Sequence, residues 1–157
     1  MKAATVHEIK QALIGSSAKE LVELCLRLAK FKKENKELLT YLLYEAQDEE
    51  SYLKNVNQFI SAEFSLIDPG QNLYFVKKTL RKILRMANKY IRYTGSKQAE
   101  VVILLHYCAC LKTSGIPFMK SPALANLYQQ QIKKIHAALG HLHEDLQYDY
   151  QQQLADC

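Results

Sequence analysis

The run KQAEVVILLHYCACLK, Lys97–Lys112, decides how this chain folds. From Val101 to Leu111 it is apolar around nearly the whole helical wheel, interrupted by His106. A helix with no polar face must be enclosed by other elements. This apolar run is 11 residues long, whereas spanning a bilayer takes about 20. It therefore reads as the centre of an all-α domain and not as a membrane anchor.

Amphipathic segments lie on both sides of it. Upstream, Asn72 to Tyr93 carries a helical period and ends at Gly95, a residue suited to a left-handed C-terminal cap. Asp68-Pro69-Gly70 is a turn signature. Before it, Asp48 can cap a helix over Glu49 to Phe64 that turns Tyr52, Val56, Phe59, Ile60 and Phe64 inward. Asn35 can cap another over Lys36 to Gln47, and Ala18 to Lys33 follows Ser17. Thr5 with Glu8, and Ser17 with Glu20, have the spacing of a capping box, in which each side chain satisfies a free amide of the other. A first short helix then covers Val6 to Ile14.

Downstream, Thr113 to Pro117 ends the central helix, and Ser121-Pro122 reads as cap and first helical position. Tyr128, Ile132, Ile135, Leu139, Leu142 and Leu146 alternate steps of four and three, a coiled-coil-like seam. The seam predicts one long helix from Pro122 to about Leu154, roughly 50 Å in length at 1.5 Å per residue. That is more than a compact domain of this size needs, so the helix is expected either to break at Gly140 or to project at its end. No alternating strand pattern occurs anywhere. The expectation is an all-α chain of six or seven helices in a compact bundle with a long C-terminal helix. It forms a single domain over residues 1–157, with about 147–157 projecting or frayed. Leu26-Arg27-Leu28-Ala29-Lys30 faintly echoes Leu84-Arg85-Met86-Ala87-Asn88, so a short helical-repeat stack of the HEAT or armadillo kind is the alternative.

At 157 residues the chain can build a core without staples. A hydrophobic content of 48% and a charged content of 24% are ordinary globular values and exclude a disordered class. Cys25, Cys108, Cys110 and Cys157 are scattered through helical text, unlike the dense cysteines of small secreted frameworks. The first residues lack the apolar stretch of a signal peptide. These features predict a cytoplasmic protein with reduced thiols, no cofactor and no membrane partner. The seam on the last helix suggests a homodimer.

Charge is unevenly placed. Between Pro69 and Ala99 there is no Asp or Glu, yet the stretch holds Lys77, Lys78, Arg81, Lys82, Arg85, Lys89, Arg92 and Lys97. Without these eight cations the net charge of +5 would be −3. On a wheel, the seven from Lys77 to Arg92 fall within roughly 140° of arc, while Val76, Leu80, Ile83, Leu84, Ala87, Tyr90 and Ile91 lie opposite. Such a stripe repels itself by a few tenths of a kcal/mol per neighbouring pair. Carboxylates of this chain could offset that repulsion: Glu45, Asp48, Glu49, Glu50, Glu144, Asp145 and Asp149 are the candidates. An acidic protein partner could do the same. So could RNA or single-stranded DNA, with Tyr74, Tyr90 and Tyr93 available for stacking.

Chemistry-bearing motifs are sparse. His106 and Cys110 share one helical face and form a possible metal-ligand pair, as do His136 and His143 two turns apart. No C-x-x-C pair, H-E-x-x-H motif or glycine-rich phosphate loop accompanies them. Cys110 beside His106 among leucines reads as packing, since apolar surroundings raise a thiol's pKa. The expected function is therefore non-catalytic: a small helical interaction or scaffold protein that meets an acidic partner through Lys77, Lys78, Arg81, Lys82, Arg85, Lys89 and Arg92. Nucleic-acid binding through the same face is the second expectation, and a metal-dependent helical enzyme the third.

Overall fold

The computed structural model describes residues 1–155. Every regular element among them is helical: α1 (Val6–Ile14), α2 (Ala18–Phe31), α3 (Lys33–Thr40), α4 (Glu49–Ser65), α5 (Leu73–Thr94), α6 (Lys97–Thr113), α7 (Pro122–Leu139) and α8 (Glu144–Ala155). A π-helical turn, Tyr41–Glu45, continues α3, and a short 3-10 turn, Phe118–Lys120, precedes α7. The eight α-helices exceed the expected six or seven because the last predicted helix is two. The chain groups into two compact units, Met1–Tyr44 and Glu45–Cys157.

In the first unit the expected capping boxes form. The Ser17 backbone N–H donates to Glu20 Oε2 at 2.7 Å, and the Glu20 N–H donates to Ser17 Oγ at 3.3 Å. Donation to Glu20 Oε2 from the Ser17 N–H, and from Ser17 Oγ also at 2.7 Å, favours the charged carboxylate and holds Glu20 below its ordinary pKa. The second helix boundary departs from expectation. Lys32 is extended (φ −142°, ψ 147°) and α3 begins at Lys33 with no side-chain cap. Asn35, the expected cap, instead lies inside α3 and donates from Nδ2 to the Leu28 carbonyl at 2.9 Å, tying α3 to α2.

The second unit is built around α6. That helix packs on α7, α4, α5 and α8. Val101, Ile103, Leu104, Tyr107 and Leu111 of α6 are fully enclosed, as the apolar wheel requires. Burial of the Tyr107 hydroxyl is compensated by donation to the Leu80 carbonyl of α5 at 3.2 Å. The same burial pushes its pKa far upward. Gly95 (φ 62°) takes the left-handed cap of α5, a conformation that costs a residue with a Cβ.

The long C-terminal helix is replaced by two, with the break at Gly140, the first of the two expected outcomes. α7 stops at Leu139, Gly140 follows in a right-handed turn (φ −59°, ψ −13°), and α8 restarts at Glu144. The seam is consumed within the unit: Tyr128, Ile135 and Leu139 are buried, and Ile132, Leu142 and Leu146 are half-buried. α8 returns onto α6, where Gln98 Nε2 donates to the Tyr150 hydroxyl at 3.1 Å. The two echoing segments also differ. α5 buries Val76, Leu80, Ile83 and Ala87, whereas α2 buries no residue. The expectation of a free thiol at Cys157 falls outside the described residues.

Candidate functional site

α5 places its cations as the wheel predicts. Val76, Leu80, Ile83 and Ala87 point into the core, so the opposite side must face outward. Lys78, Arg81, Lys82, Arg85 and Arg92 are exposed, and Lys77 and Lys89 are half-buried. Lys82 Nζ meets Glu63 Oε2 of α4 at 3.2 Å. Glu63 is not among the acids that the sequence singled out. Lys78 Nζ lies 5.0 Å from the centre of the Tyr74 ring, a cation–π contact that leaves its charge unneutralised. Lys77, Lys78, Arg81, Arg85 and Arg92 have no carboxylate at ion-pair distance among the described residues.

The acids proposed as internal partners are occupied in part. Asp48 accepts from the Ser51 N–H at 3.0 Å as the cap of α4, and Asp145 lies 3.4 Å from His143 Nδ1. An exposed pair such as Lys82–Glu63 is worth about 0–1 kcal/mol, too little to silence the stripe.

A groove of about 330 Å³ runs beside the stripe. Arg81, Leu84, Arg85 and Asn88 line it from α5, and Ala123, Asn126, Leu127 and Gln130 from α7. Two guanidiniums one helical turn apart present planar donor forks, which match carboxylate or phosphate oxygens. Asn126 and Gln130 add amides that both donate and accept. No sequence signal pointed to α7 as the second wall, because its lining residues are ordinary helix-surface residues.

Aromatic side chains near the stripe divide into two groups. Tyr74 and Phe75 are 59% and 52% exposed. Tyr90 and Tyr93 are half-buried, with the Tyr90 ring edge-on to both Phe59 and Tyr93.

The histidine candidates behave differently from one another. His106 Nε2 lies 3.5 Å from Cys110 Sγ, and Ser61 Oγ of α4 approaches the same nitrogen at 2.7 Å. The His106 ring also bonds the Asn57 backbone carbonyl. This is a polar bridge between α4 and α6. Among the described residues no three His, Cys, Asp or Glu side chains come together to hold a metal ion. His136 and His143 lose their shared face, because α7 ends between them. Burial raises the Cys110 thiol pKa, which works against a nucleophilic thiolate.

Burial also lowers the His106 pKa from 6.5, and the Asn57 carbonyl opposes that shift only in part. A depressed folded-state value means that the neutral ring stabilises the fold. That stability is complete above the ordinary histidine value and is lost as pH falls below it through the folded value. The urea midpoint is therefore expected to decline below about pH 6.5, and a His106→Gln variant should decline less. Parallel pH profiles for the two proteins would refute the assignment. No family model matches the chain, and the curated proteins and solved structures contain no match either.

Proposed function

We propose that the second unit is a non-catalytic interaction module that captures an acidic protein segment on the outer face of α5. The observation carrying this reading is the array of exposed cations without carboxylate partners, with Arg81 and Arg85 opening onto the α5–α7 groove. Cations kept together against their own repulsion favour any ligand that neutralises them. A carboxylate-bearing side chain in the groove would meet two guanidiniums and flanking amides, while the remaining lysines steer its approach.

Fluorescence anisotropy with a labelled glutamate-rich peptide tests this reading, with a single-stranded RNA oligomer as competitor. The peptide is expected to bind with an affinity that falls as salt rises, and the RNA to displace it poorly. The exposed Tyr74 and Phe75 favour a second reading, since exposed rings beside cations suit base stacking. That reading requires the RNA to bind better, with a log–log salt slope of about −0.7 per phosphate contacted. Failure of both ligands would reduce α5 to a solvated face.

A further inference from the structure

The first unit exposes more apolar surface than its own helices cover. On a wheel, α2 is apolar over about 220° of arc. Within it only Leu21 and Ala29 reach intermediate burial, while Leu26, Leu28 and Phe31 are 50%, 60% and 74% exposed. Scattered surface leucines are ordinary, but a contiguous apolar set on one unit marks an interaction surface.

This surface includes a defined groove. α2 packs on α3, and a groove of about 600 Å³ is lined by Leu26 of α2, Leu39 of α3, and Leu43 and Tyr44 of the π-helical turn. The turn contributes Leu43 and Tyr44, which are 56% and 78% exposed. Lys30, Lys32, Lys33 and Lys36 line the same groove. Lys33 lies 3.6 Å from Glu37, an exposed i,i+4 pair, whereas Lys30, Lys32 and Lys36 have no carboxylate at ion-pair distance among the described residues.

We propose that this groove docks an amphipathic helix of a partner protein, with leucine-type side chains on its buried face and carboxylates on its flank. An apolar trough suits the buried face of a helix, and the four lysines select negative flanks by charge complementarity. A second copy of this unit is the poorer occupant. Residues 1–44 hold eight Lys and Arg against five Glu, so pairing two such grooves would bring like charges together. A bilayer is also the poorer occupant, because the lysines and the apolar side chains line one concave groove. This site lies in the first unit and does not rest on the α5 reading.

The test uses the full chain and three labelled helical peptides: one with leucines on one face and glutamates beside it, a scrambled version, and a version with lysines replacing the glutamates. The first should bind, and the other two should bind at least about tenfold more weakly. Lys32→Glu, Lys33→Glu and Lys36→Glu together should weaken the first peptide about tenfold or more, a change of about 1.4 kcal/mol. Leu39→Ala with Leu43→Ala should do likewise, and circular dichroism checks that variant for folding. Arg81→Glu with Arg85→Glu should leave this affinity within about twofold, which separates the groove from the α5 face. Equal binding of the scrambled peptide, or loss of binding only with the arginine variant, would overturn the proposal. So would tighter capture by phosphatidylcholine–phosphatidylserine vesicles, or a dimer in light scattering that Leu39→Ala and Leu43→Ala dissolve.

Discussion

Leu104→Ala is expected to cost about 2–5 kcal/mol of stability, the range for deleting a buried leucine side chain and leaving a cavity. Leu104 is 0% exposed on α6, and α6 packs on four other helices. Little can move into the vacated space without several elements shifting at once. Against a total domain stability of about 5–15 kcal/mol, the loss is large. Urea unfolding should show a lower midpoint with an unchanged slope. Leu66→Ala is the control: Leu66 is 79% exposed at the end of α4, and its removal should fall within about 0.5 kcal/mol. A Leu104→Ala cost below about 1 kcal/mol would contradict the placement of α6 at the centre of its unit.

Reversing Arg81 and Arg85 to glutamate together should weaken the glutamate-rich peptide by about 100-fold or more. Each charge-assisted hydrogen bond is worth about 1.5–3 kcal/mol, and each factor of ten needs about 1.4 kcal/mol. The reversal also adds repulsion where attraction stood. Both residues are exposed and outside the core, so melting should change little. Lys133→Glu with Lys134→Glu makes the same change in net charge on exposed residues of α7 that do not line the groove. Equal losses in the two double variants would mean that bulk charge acts, and not the Arg81–Arg85 groove.

Most helices of the second unit were legible in the sequence because local signals agreed with tertiary need. Asp48, Asn72 and Ser96 each cap a first-turn N–H, and Gly95 ends α5. The apolar wheel of α6 matched its enclosure. Local periodicity failed where one residue's backbone made the difference. Lys32 breaks α2 from α3 in extended geometry without a Gly or Pro to mark it. The π-helical turn adds a residue per turn over one turn only, too short to alter a pattern. At Gly140 the four-and-three spacing runs straight through a break made in right-handed backbone.

The candidate site divides in the same way. The stripe itself is one-dimensional information, since seven cations on one helical face can be placed by counting. Its surroundings are not. Glu63 reaches Lys82 from a separate helix, and Asn126 and Gln130 join the groove from α7. Ser61 meets His106 across 45 positions of sequence. Helix pairing sets such meetings, and no spacing rule within one segment encodes them.

The return of α8 has a further effect. With Tyr150 latched to Gln98 at the first turn of α6, the tail acts as a clasp on the most enclosed helix. Because that bond lies at an exposed position, α8 is expected to open locally ahead of the enclosed helices, which faster amide exchange along Glu144–Ala155 would show.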